Sequence, residues 1–234
     1  MTGRSEELAD RLDAVRRRIE TACAAADRDP GEVTLVAVTK FFPASDVRVL
    51  ADLGVTHVGE NRHQEAEAKA AECADLGLTW HFIGGLQSNK AAAVAAYAGV
   101  VESLDRAKLV AGLERGAQAR SEPLDVLLQV SLDTGEGAGR SGVDPADLEQ
   151  LAQAVDDADH LRLRGLMAVA PLGEDPAPAF ARLAVLRQQF LSSHPGAEVL
   201  SAGMSNDLEQ ALADRKSTRL NSSHQGLSRM PSSA

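Results

Sequence analysis

Short apolar, β-branched runs alternate with amphipathic stretches along almost the whole chain, and this alternation limits the fold more than any other feature. Val33–Thr39 is the first run; Val55–Gly59, Leu78–Ile83, Val100–Ser103, Leu124–Leu132, Leu163–Ala170 and Glu198–Ser201 follow. Most are apolar throughout, which predicts strands covered on both faces. Helices are predicted between them at Pro43–Leu53, Gln64–Ala74, Lys90–Tyr97, Asp105–Ala119, Pro145–Val155 and Pro178–Leu191, with another over Asn206–Ala213. A further helix, from Ser5 to about Ala26, precedes the first strand: Leu8, Leu12, Val15 and Ile19 recur at spacings of three and four, and Asp29-Pro30-Gly31 ends it. Strand–helix–strand units of this length are right-handed and build a parallel sheet. The expected fold is α/β: a TIM-type (β/α)8 barrel, incomplete because its last strand and helix are missing, with an added N-terminal helix. An open doubly wound sheet is the rival, but no strand runs into a G-x-G-x-x-G turn.

With 44% hydrophobic residues and only 3% aromatics, Ala, Val and Leu must fill the core. A formal charge of −10 and so few rings argue against nucleic acid or an anionic membrane as partner. No stretch approaches the ~20 apolar residues of a membrane span. Cys23 and Cys73 have no metal-ligand spacing around them and are expected as free thiols, with the protein in the cytoplasm.

The last residues break the pattern. From Asp214 to Ala234 the apolar periodicity collapses, and four basic residues stand against one acid. Asp214–His224 and Ser228–Ala234 read as in-frame translations of a sequencing adapter. The expected domain is therefore 1–213, with 214–234 a non-native tail.

Chemistry gathers at the predicted strand ends. Lys40 terminates the first strand, and an ammonium delivered from a buried strand either surfaces or places an amine in a site. A lysine amine is the natural partner of an aldehyde. Gly59-Glu60-Asn61 through Glu65 follows the second strand, where Asn61 reads either as a ligand contact or as the N-cap of a capping box with Gln64. His81 sits in the third strand, facing opposite to Trp80 and Phe82, before Gly84-Gly85, which permit either a close ligand approach or a turn. Ser201-Ala202-Gly203-Met204-Ser205-Asn206-Asp207 ends the seventh strand, where free N–H groups at a helix start suit an anion; the plainer reading is an Asn206 cap with Glu209. An amine at strand one and an anion cradle at strand seven face each other across a barrel mouth. Pyridoxal 5′-phosphate, with an aldehyde and a phosphate, meets both requirements.

On Val36-Ala37-Val38-Thr39-Lys40, Gly59-Glu60-Asn61 with Gln64-Glu65, Trp80-His81-Phe82-Ile83-Gly84 with Leu86-Gln87-Ser88-Asn89-Lys90, Gly165-Leu166-Met167-Ala168 and Ser201–Asp207, the chain resembles the YggS/PROSC-type pyridoxal phosphate homeostasis proteins, single-domain relatives of the barrel half of alanine racemase. The likeness covers about residues 5 to 213. It implies a cofactor site of Lys40, Asn61, His81, Met204 and Ser205, with Lys40 the Schiff-base lysine and Ser205 by the phosphate. Two departures stand out. Arg62-His63 replaces an aromatic or aliphatic pair, and a last strand of the form Val-Arg-x-Gly plus a small hydroxyl residue is not found before the tail.

The expected function is reversible pyridoxal phosphate binding for storage, buffering or delivery, without turnover. The expected partners are the cofactor and apo pyridoxal phosphate enzymes, and the expected state is a monomer or weak dimer. The alternatives are an amino-acid racemase, for which this chain lacks a second domain, and a lysine-dependent aldolase.

Overall fold

Thr34–Val38 (β1), His57–Glu60 (β2), Thr79–Phe82 (β3), Val100–Leu104 (β4), Leu124–Gln129 (β5), Leu161–Met167 (β6), Val199–Ser201 (β7) and Arg219–Ser223 (β8) pair in chain order, all parallel, and β8 returns to β1 to close a barrel. The computed structural model describes residues 3–133, 142–171, 175–213 and 219–223, the last five by backbone alone. The Gly-rich segment Thr134–Gly142, expected from its sequence to be a loop, falls almost wholly outside these residues. The helices are α1 Gly3–Ala25, α2 Ala44–Asp52, α3 His63–Glu72, α4 Ala91–Tyr97, α5 Val110–Ala117, α6 Leu148–Asp156, α7 Pro176–Ser193 and α8 Leu208–Ala213. Among the described residues no helix is long and apolar enough to cross a membrane.

The barrel fold and its added N-terminal helix are as expected, with one difference at the seam. The eighth place, expected to be empty, is taken by Arg219–Ser223, from the segment assigned to the tail. It pairs with β1 over five residues, Thr34↔Arg219 to Val38↔Ser223, but with β7 only at Ser201↔Arg219. The reason is that strand pairing is a backbone interaction. β1 and β7 each leave a row of N–H and C=O groups unpaired, and any extended segment without proline can satisfy them. Among the described residues no helix follows β8. Residues 214–218 and 224–234 lie outside the described set.

Side-chain alternation splits each strand between two environments. Outward residues such as Ala37, Val58, Trp80, Val101, Leu128 and Leu166 meet the helices in the main apolar clusters. Leu50 of α2 and Leu113 of α5 are fully buried there. Each such side chain contributes about 1.5–3 kcal/mol through burial. Inward residues form layers. Val100, Leu127 and Met167, backed by Val199, make a small apolar plug. Above it lies a polar layer containing His81, Glu102 and Ser201, all buried. Lys40 and Asn61 come next on their strands, at the carboxyl-end mouth.

Helix α1 buries Leu8, Leu12, Val15 and Ile19, as its spacing predicts, and packs on α2 and α8. Arg4 reaches Asp46 of α2 at 2.6 Å, and Arg18 reaches Glu209 of α8 at 2.7 Å.

Candidate functional site

Lys40 leaves β1 in a tight turn. The Phe42 N–H donates to the Thr39 carbonyl at 3.1 Å, and Phe41 has φ 70, the left-handed region that normally calls for glycine. Lys40 is half-buried. Among the described residues its Nζ makes no hydrogen bond or ion pair. Its Nζ lies 6.0 Å from the centroid of the Phe41 ring. The Arg62 guanidinium lies 4.6 Å over the same ring. A primary amine without a partner at the mouth of a parallel barrel is placed to react with a carbonyl ligand.

A second lysine lies behind the first. Lys69 of α3 is only 6% exposed and spends its three donors on the Thr39 carbonyl at 2.7 Å, Glu60 Oε1 at 2.7 Å and Glu65 Oε1 at 2.8 Å. Glu60 also accepts from the Thr39 hydroxyl at 2.7 Å, and Glu65 accepts the Phe41 N–H at 2.6 Å. The two carboxyls move in opposite directions. Burial pushes Glu60 up, and the bonds from Lys69 and Thr39 do not offset it. Burial acts on Glu65 too, but there the bonds from Lys69 and the Phe41 N–H prevail and hold it below the usual range. The sequence predicts a helix over Gln64–Ala74 but does not single out Lys69. The signal was its i,i+4 spacing from Glu65.

Asn61 follows β2 on the inward side, and its Oδ1 is buried with no partner among the described residues. Of the two readings of Asn61, the capping box does not form: α3 is capped at Arg62 without any side-chain bond. This leaves the Asn61 amide uncommitted at the mouth. Gly84 explains the tightness around it, since a Cβ there would lie 2.2 Å from the Asn61 carbonyl oxygen. The close approach that Gly84 permits is to this backbone.

His81 lies one residue layer deeper, level with Gly59 and Val38. Both its ring nitrogens are engaged: Nδ1 with Glu102 Oε1 at 2.6 Å, and Nε2 with His57 Nδ1 at 2.9 Å. Glu102 Oε2 accepts from the Ser201 hydroxyl at 2.6 Å. His81 thus offers a ligand its ring edge and no free nitrogen. Glu102 and Ser201 were missed as a pair. An acid inside the apolar Val100–Ser103 run was the available signal, of the same kind as Lys40 on β1.

At the end of β7, Gly203 has φ 89 and turns the chain into Met204-Ser205-Asn206-Asp207 before α8. The Met204 N–H donates to the Asp207 carboxylate, so it is not free for an anion. Burial raises the Asp207 carboxyl, partly against that bond. The alternative cap of Asn206 with Glu209 does not form among the described residues. The residue before α8 is Asp207, whose carbonyl takes the Ala211 N–H, and Glu209 turns to Arg18. Arg18 also donates to the Ser205 carbonyl at 2.9 Å, tying α1 to this turn.

Lys40, Asn61 and the Gly203–Asp207 turn therefore stand at the same carboxyl end of the barrel, with His81 beneath them. A family model described as the alanine racemase N-terminal domain matches residues 11–221. A curated relative from Pseudomonas aeruginosa, a pyridoxal phosphate homeostasis protein, is 44% identical over 207 residues, spanning 88% of this chain and 89% of its own length. The solved structure of PipY from Synechococcus elongatus with pyridoxal phosphate bound is 34% identical with a TM-score of 0.80, over 94% of this chain and all of that one. An alanine racemase from Corynebacterium glutamicum, 17% identical, shares the fold with a TM-score of 0.62 over 98% of this chain but 62% of its own. The motifs at the barrel mouth, the family match and the near-complete mutual coverage agree: the chain belongs to the pyridoxal phosphate homeostasis protein family.

Proposed function

We propose that this protein binds pyridoxal 5′-phosphate reversibly through Lys40, as a reserve or carrier of the cofactor for apo enzymes rather than as a catalyst. The observation that carries the reading is the Lys40 amine at the carboxyl end of β1, unpartnered among the described residues. The other lysine nearby, Lys69, has all three donors in use and is a poor competitor.

The residues present fit the group. The cofactor supplies an aldehyde that can form a Schiff base with a lysine. Lys40 would provide the amine, the buried Asn61 Oδ1 a polar atom to meet the ligand, and Ser205, in the Gly203–Asp207 turn, the group toward the phosphate. His81, held by Glu102 and His57, forms the floor on which the ligand rests. Because the Met204 N–H is taken, Met204 would contribute packing.

Racemisation needs an acid/base on each face of the reacting carbon. Tyr97 is poorly suited. It lies in α4 outside the barrel, its ring stacks on His63 at 5.9 Å, and burial pushes its phenol further from deprotonation. The racemase that shares this fold is a longer chain.

The test is a titration with pyridoxal 5′-phosphate, followed by borohydride reduction and peptide mapping. A single stable adduct at Lys40, lost in Lys40→Ala, is expected. Reduction onto Lys69 or Lys90, or no adduct at all, refutes the assignment. Turnover of D- or L-alanine by the loaded protein would favour the racemase reading.

A further inference from the structure

The Lys69 cluster touches the residues on either side of Lys40 and leaves Lys40 itself alone. Thr39 is fixed at three atoms: its N–H on the Gly59 carbonyl at 2.9 Å, its hydroxyl on Glu60, and its carbonyl on Lys69. Phe41 is fixed through its N–H on Glu65. Between these anchors the turn places Lys40 at its second position and Phe41, with φ 70, at its third. A non-glycine residue in that conformation costs about 1–3 kcal/mol and persists only where its surroundings over-determine it. The Phe41 ring is 60% exposed, so burial of the side chain offers little in return.

We infer that Lys69 is a positioning residue for Lys40: by bridging Thr39, Glu60 and Glu65 it locks the β1 exit turn and aims the Lys40 amine into the barrel mouth. The inference rests on the pyridoxal phosphate reading. In the reaction at issue a C=N bond forms between Lys40 Nζ and the aldehyde carbon, and the two hydrogens of the neutral amine leave with the carbonyl oxygen as water. A free lysine stem carries about 2 kcal/mol of rotamer entropy, and misplacing a reacting atom by 1 Å can cost about a hundredfold. Anchoring the backbone on both sides of Lys40 leaves the first cost to the ligand but fixes the point from which the stem departs, and so guards against the second.

The experiment compares wild type, Lys40→Ala and Lys69→Met by three measurements. These are the yield of borohydride-reduced adduct at fixed pyridoxal 5′-phosphate, the affinity for pyridoxine 5′-phosphate, and the urea unfolding midpoint. Pyridoxine 5′-phosphate carries the ring and phosphate but an alcohol in place of the aldehyde, so it reports on the pocket without the amine. Lys69→Met is expected to lower adduct formation about tenfold or more while pyridoxine 5′-phosphate affinity stays within about twofold. An unchanged adduct yield overturns the inference. So does an equal fall in both ligand readouts, which is what a merely structural role predicts. Should Lys69→Met fail to fold, Glu65→Ala releases Phe41 while leaving Lys69 on Glu60 and Thr39, and the same ratio decides. If wild type gives no adduct at Lys40, the cofactor reading itself fails. If Lys40→Ala loses the adduct and Lys69→Met keeps it, only the positioning role fails.

Discussion

His81 Nδ1 and Glu102 Oε1 lie 2.6 Å apart inside the barrel, with neither side chain exposed to water. The bond orders a four-residue chain. In the neutral tautomer that donates from Nδ1 to the carboxylate, His81 Nε2 accepts from His57 Nδ1, while Ser201 donates to the other Glu102 oxygen. In that arrangement every proton points toward Glu102, and one carboxylate organises the floor of the mouth. Glu102→Ala is expected to cost about 3–5 kcal/mol, as for breaking a buried pair, and Glu102→Gln about 1–3 kcal/mol because an acceptor for His81 survives. Urea denaturation measures both; a loss under about 1 kcal/mol for Glu102→Ala would remove this support from the site.

Gly84→Ala tests the packing beside Asn61. The added Cβ would fall 2.2 Å from the Asn61 carbonyl oxygen, a backbone atom that cannot swing aside as a side chain can. A loss of more than about 2 kcal/mol is expected, together with weaker pyridoxal phosphate binding by the surviving folded protein. Wild-type stability in this variant would mean that β2 and β3 part more easily at the mouth than their spacing implies.

Phe41 supplies a test of backbone strain. At φ 70 a β-branched residue fares worse than phenylalanine, and glycine is at ease. Phe41→Val should destabilise by about 1–2 kcal/mol, whereas Phe41→Gly should be neutral or slightly stabilising. The order of the two thermal midpoints is the readout, and a reversed order would show that the turn is not strained.

The two carboxyls on Lys69 predict opposite pH effects. Glu60 is raised above its ordinary 4.5, so its contribution to stability is present below 4.5 and is lost as pH rises through its folded value. Glu65 is lowered, so its contribution is present above 4.5 and is lost as pH falls through its folded value. Glu60→Gln should therefore make unfolding free energy climb more steeply with pH just above 4.5. Glu65→Gln should flatten the climb just below it. Parallel slopes in both variants and wild type would contradict the opposed shifts.

The strand runs were legible because both faces of each strand are covered, and every expected strand is present within a few residues; β5 stops at Gln129 rather than Leu132. Lys40 was legible because a cation at the end of an apolar run has few explanations. The capping alternatives are not realised. Asn61 with Gln64 and Asn206 with Glu209 both fit a capping pattern, yet Asn61 is left unbonded and Glu209 is drawn to Arg18 nearly two hundred residues earlier. Local spacing lists the partners a side chain can reach along its own helix, and tertiary packing can bring a stronger one.

The sequence by itself determined a parallel α/β barrel, an amine at its first strand end and the family to which these motifs belong, because periodicity and the cost of burying charge are local properties. Only the tertiary structure decided that Lys69 takes the buried, fully bonded role and Lys40 the open one. It also decided that His81 answers to Glu102, and that β8 closes against β1. Each of these depends on which groups meet across elements distant in the chain, where the desolvation of one charge is balanced by a partner that no sequence spacing reveals.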